Sequence, residues 1–126
     1  MESIRLRQLG TALATRHRAQ IVCRQLRKLS HDADNQPIFI DFSEVVAVSP
    51  SFVDEFLGCA HRALIEQNSD LTFVIVGVSE PILNTLEAVS SRRGLGLPCA
   101  VSKDDYRRGK FKLLGGKASR QPPIAI

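Results

Sequence analysis

The sequence predicts an α/β fold, a small mixed or parallel sheet flanked by helices. Two runs, Ile38 to Phe42 and Leu71 to Val78, are almost continuously apolar. A strand without polar alternation has both faces covered, as in a parallel sheet with helices packed on it. Between the runs lies a stretch whose apolar residues recur at helical spacing, so the order strand, helix, strand implies a right-handed parallel crossover. At 126 residues with ordinary apolar content, the chain suits one domain, over residues 1–102, burying roughly 65–70% of its unfolded surface. Residues 103–126 form a basic C-terminal extension, expected to be partly disordered.

Each element has a local reason. Ile4 and Leu6 alternate with Arg5 and Arg7, the pattern of an edge strand. Thr15 can cap a helix whose Ala19, Val22, Cys23, Leu26 and Leu29 make one apolar stripe, leaving Arg16, Arg18, Arg24, Arg27 and Lys28 on a solvated face. Ser30 to Asn35 is turn chemistry and reads as a loop. The stretch Pro37 to Gly58 then organises the chain: a buried strand, a polar elbow and the start of a helix. Pro50 suits a first helical position, so Ser49 is the better cap. Ser51 is the alternative, with Asp54 at the third position of a capping box. Val53, Phe56, Leu57, Ala60 and Leu64 form the stripe that packs this helix on the sheet.

Gln67 to Asp70 break the helical pattern before the second apolar strand. Ser79 then caps a third helix with Pro81 in its first turn and Ile82, Leu83, Leu86 and Val89 inward, and Arg92, Arg93 and Gly94 close it. Pro98 to Val101 reads as a last strand, and Ser102 to Asp105 can cap a short basic helix. Beyond Leu114 the chain reads as disordered.

Composition excludes several classes. No apolar run approaches a membrane span, and MESIRLRQLG alternates charges instead of building a signal-peptide core, so a soluble, cytoplasmic protein is expected. Cys23, Cys59 and Cys99 lack paired metal spacing, and each is expected to be a free, buried thiol. The net charge is +4, but residues 1–102 hold ten Lys/Arg against eleven Asp/Glu, whereas 103–126 hold seven against two. The excess lies in the extension, which argues against nucleic-acid binding by the domain. Gly94-Leu95-Gly96 follows a helix and Gly115-Gly116-Lys117 lacks the spaced leading glycine, so neither is a nucleotide fingerprint and no cofactor is expected. Ser51 and His61 on one helix are roughly 15 Å apart, too far for a catalytic pair. His31 with its neighbouring aspartates reads as loop chemistry, and no metal site is expected.

One geometric inference survives. In a parallel sheet, the helix starts at Ser49 to Ser51 and at Ser79 lie on the same edge, where such folds bind their ligands. The candidate binding residues are Ser49, Ser51, Phe52, Asp54, Glu55 and Glu80. With Asp41 and Glu44 nearby, this edge opposes a free phosphate and suits a basic protein surface or a cation. The plainer reading is that Ser51, Asp54 and Glu55 cap the helix and favour its dipole.

The IDFS-type strand, the valine-rich link and the run Ser51-Phe52-Val53-Asp54-Glu55-Phe56-Leu57 resemble the STAS-like family of bacterial proteins. Thr15-Arg16 followed by Ala19 is similar to the S-R-x-x-A that opens the family's first helix. The resemblance spans about residues 4–95. It implies a non-enzymatic regulatory module like an anti-sigma-factor antagonist, whose protein partner is a histidine-kinase-type ATPase or another signalling protein. In those antagonists a D-S-S/T-G run opens the corresponding helix and its first Ser is phosphorylated. Aligned with Ser49-Pro50-Ser51-Phe52, that run puts Pro50 at the acceptor and Phe52 at the glycine. Ser49 or Ser51 could replace that acceptor only through a shift of register, and Ser51 is the candidate phosphoacceptor. The rival is a small enzyme or a ligand- or cation-binding domain using the same acidic edge. Oligomerisation is left open.

Overall fold

The apolar runs become strands because both their faces find cover. In the computed structural model, which describes residues 2–32, 37–67 and 72–115, β1 (Glu2–Arg5), β3 (Ile38–Asp41), β5 (Phe73–Val76) and β6 (Pro98–Ala100) run parallel in the order β1-β3-β5-β6. A short β7 (Lys112–Leu113) adds antiparallel to β6, making the sheet mixed. The register lines up Ile4, Ile40, Ile75 and Cys99 in one row. This row faces the main core, built with Ala19, Val22 and Leu26 of α1 (Arg16–Asp32), Val53, Phe56 and Leu57 of α2 (Pro50–Gln67), and Ile82, Leu86 and Val89 of α3 (Glu80–Arg93). Strand residues facing the other way, Phe39, Val74, Val76 and Ala100, make a second cluster with Tyr106 of α4 (Lys103–Arg107). The Tyr106 ring meets Phe39 edge-on at 5.8 Å between centroids.

Helix ends follow the local signals. Thr15 Oγ accepts from the Arg18 N–H at 3.1 Å, capping α1. Gly94 adopts the left-handed conformation (φ 69°) that closes α3 after Arg92 and Arg93. Ser102 Oγ accepts from the Asp105 N–H at 3.1 Å. Ser79 stands at the α3 N-cap, but its side chain makes no capping bond.

Several expectations need correction. β1 is an edge strand with Ile4 inward, yet it ends at Arg5, and Leu6 is buried from a 3-10 turn (Leu6–Leu9). Ser30 is helical and buried, because its hydroxyl donates to the Leu26 carbonyl at 2.6 Å and needs no solvent. Helix α1 thus runs through residues 30–32 of the loop expected at 30–35, and residues 33–36 lie outside the described residues, as do 68–71. Nothing further is described of the side chains of His31 and Leu64. The basic extension contributes α4, β7 and Leu114, which is buried in the main core with its N–H donating to Leu97 at 2.9 Å. Of the stretch beyond Leu114 expected to be disordered, Gly115 is placed, its carbonyl accepting from the Ser91 hydroxyl at 2.9 Å, and residues 116–126 lie outside the described residues.

Cys23 and Cys59 are not free thiols. The facing stripes of α1 and α2 set them side by side, Cα atoms 5.6 Å apart, and they form a disulfide. Cys99 remains free and buried, and burial pushes its thiol pKa up.

Candidate functional site

A two-stranded sheet that sequence periodicity did not reveal sets up the site. β2 (Ala12–Leu13) pairs parallel with β4 (Ala47–Val48), just before α1 and α2 respectively. Ser49 N–H donates to the Leu13 carbonyl at 2.9 Å, so the two helices start together. Ser49 Oγ accepts from the Phe52 N–H at 3.0 Å and donates to the Ala14 carbonyl at 2.6 Å. It caps α2 and ties it to the α1 entrance. Both hydroxyl functions are thereby engaged. Ser51, one residue past Pro50, is exposed.

Phe52 is fully buried, stacked against Phe56 with ring centroids 6.3 Å apart. The expectation that it joins a binding surface is corrected: its position faces the sheet, and the side chain belongs to the core. Asp54 is no capping-box residue, because the cap is Ser49 and Asp54 falls in the second turn. It is braced from two other helices. Arg93 Nε donates to Asp54 Oδ1 at 3.0 Å, and Arg16 Nη1 reaches Asp54 Oδ2 at 3.4 Å and Glu55 Oε1 at 3.2 Å. Gly58 makes room for this: a Cβ there would stand 3.1 Å from the Arg93 Nη2.

The edge is accordingly less acidic than its carboxylates suggest. Glu44 pairs with Arg7 at 3.7 Å, and Asp41 accepts the Ser43 N–H at 2.9 Å. Glu80 is exposed in the first turn of α3, where a carboxylate favours the dipole. The start of α3 borders β4 through Pro81, Ile82 and Thr85, so it approaches the α2 entrance without joining the arginine network. Among the described residues no group of three His, Cys, Asp or Glu could hold a metal, and no helix is long and apolar enough to cross a membrane.

Arg16 and Arg93 are the site residues that sequence reasoning missed. Arg16 lay on a face read as solvated and Arg93 among helix-closing cations; neither periodicity says which carboxylate a guanidinium meets. The available signal was that Thr15-Arg16-x-x-Ala19 and Ser51-x-x-Asp54-Glu55 both open helices.

The Arg93 hydrogen bond, with Arg16 assisting, holds the Asp54 pKa below its ordinary value. A depressed folded-state pKa contributes stability that is present above the unfolded value and is lost as pH falls through the folded one. Asp54→Asn should therefore lose less stability than the parent on acidification from about pH 5 to about pH 2, and roughly 0.2–1 kcal/mol at neutral pH for each partly exposed pair. Melting curves at stepped pH check this; parallel acid limbs would mean that the pairing does not persist in solution.

Fold and site define a small α/β module, a mostly parallel sheet whose second helix opens on an exposed serine beside an arginine-braced aspartate. The chain belongs to the family described as a STAS-like domain of unknown function, matched over residues 18–83. That span holds Ser49 to Glu55 and Glu80, while Arg16 and Arg93 flank it. No curated protein and no solved structure matches the chain.

Proposed function

We propose that this chain is a non-enzymatic regulatory interaction module that binds a signalling protein through the start of α2. The observation that carries the reading is the contrast within one turn. Ser49 is committed to the backbone and Phe52 to the core, whereas Ser51 stands exposed on a helix start braced by Arg16 and Arg93. Such a rigid, exposed hydroxyl suits recognition and modification. The partner is a protein, a histidine-kinase-type ATPase or another signalling component, and the setting is the cytoplasm. The Cys23–Cys59 disulfide of the structure would there be exposed to reduction to the two thiols.

A phosphate on Ser51 would add roughly −1.5 to −2 charges at a helix N-terminus, which the dipole favours. It would also compete with Asp54 and Glu55 for Arg16, loosening the brace between α1 and α2. Phosphorylation in this reading releases the partner. Calorimetric titration against the ATPase encoded nearest the gene tests it with Ser51→Ala and Ser51→Glu, each with a melting curve. Ser51→Ala should bind as the parent does and Ser51→Glu about tenfold more weakly, a loss of about 1.4 kcal/mol. Equal affinity for both variants would leave Ser51 without a switching role.

A further inference from the structure

Apolar surface left open around one concavity marks a second site, separate from the α2 entrance. A cleft of about 560 Å³ lies where Val78 follows β5 and Val101 follows β6, between α3 and the chain leading into β7. It occupies the carboxyl ends of two adjacent parallel strands, the place where open α/β sheets take their ligands. Its volume falls in the range of about 300–1,000 Å³ usual for small-molecule sites. Val78, Leu83, Ala100, Val101 and Phe111 line it. Val101 is 80% and Phe111 45% exposed, two of the four large hydrophobic side chains left open among the described residues. Singly exposed hydrophobics are ordinary, but these face one hollow.

The polar lining has one sign. Lys110 and Lys112 are its only charged residues, no carboxylate lines it, and neither lysine is in an ion pair among the described residues. An apolar hollow edged by two free ammonium groups is complementary to an apolar body carrying a negative head. The chain's own residues 116–126 bring Lys117 and Arg120 and no acidic side chain, so their side chains offer the two lysines no charge partner. We infer that this cleft binds a small amphipathic monoanion, an alkyl carboxylate in the simplest case. Its chain lies along Leu83, Val101 and Phe111 and its head between Lys110 and Lys112.

Octanoate is the probe, titrated below its micellar concentration into the isotope-labelled full chain, with amide shifts recorded by NMR. Saturable shifts centred on Gly77, Val78, Val101 and Lys110 to Lys112 are expected. Octanol, with the same tail and no charge, should bind about five- to tenfold more weakly than octanoate. The double variant Lys110→Gln, Lys112→Gln should erase that difference while leaving octanol unaffected. Val101→Ser, at an exposed position that tolerates a polar side chain, should weaken both ligands. Shifts centred elsewhere, equal affinity for octanoate and octanol, or undiminished octanoate binding by the double variant each overturn the inference. So does a full chain whose cleft amides do not respond, or respond to protein concentration alone, since a second copy or residues 116–126 would then fill the hollow.

Discussion

Phe52→Ala is expected to lower the free energy of unfolding by about 3–5 kcal/mol, the cost of emptying a well-packed aromatic site. Phe52 has no exposed surface, stacks on Phe56, and through it joins Phe42, whose ring meets Phe56 edge-on at 6.3 Å. Helix and strand enclose the position, so collapse around the missing ring is limited. Against a typical domain stability of about 5–15 kcal/mol, the loss is large enough to move a denaturant midpoint far outside error. Phe52→Leu, which keeps most of the volume, should lose less and stay folded. A Phe52→Ala protein with unchanged stability would return this residue to the surface and to a direct part in binding.

Reduction of the Cys23–Cys59 bond is expected to remove about 3–4 kcal/mol, by the chain-entropy argument for a closed loop of 36 positions. The bond ties α1 to α2, the helices that also carry Arg16 and its carboxylate partners. Reducing agent should lower the melting temperature of the parent and of Cys99→Ser alike. It should leave Cys23→Ala, Cys59→Ala unaffected, and that variant should melt with the reduced parent. Identical melting of the parent with and without reductant would mean that the two sulfurs stay unlinked in solution.

The backbone of this fold was legible because its signals are local. Apolar runs long enough for strands, stripes at helical spacing, Pro50 after Ser49 and glycine at 94 each act within one turn or one strand of themselves. Those interactions are decided by residues adjacent in the chain. The edge at which binding is proposed was reached by the same logic, since parallel strands followed by helices must put the helix starts on one side. Ser49 as the better cap follows from proline geometry, whereas the exposure of Ser51 was decided by the fold.

The roles of the residues around that edge were not local. Phe52 had been grouped with Ser51, Asp54 and Glu55 on the helix N-terminal edge, yet the helix rotation that buries Val53 and Phe56 also turns Phe52 onto the core. Asp54 had a sound capping explanation until Arg16 and Arg93 arrived from two other helices, positions 38 and 39 residues away in the chain. The Cys23–Cys59 pairing and the apolar cleft depend in the same way on which helix faces meet and on where β7 lands. By itself the sequence determined the four helices, the longer strands, their order and the edge at which function is expected, because propensity, periodicity and capping act over a few residues. Only the tertiary structure decided which charges cancel, which thiols meet and which apolar side chains stay open, because those are contacts between distant segments and no pattern within either segment encodes them.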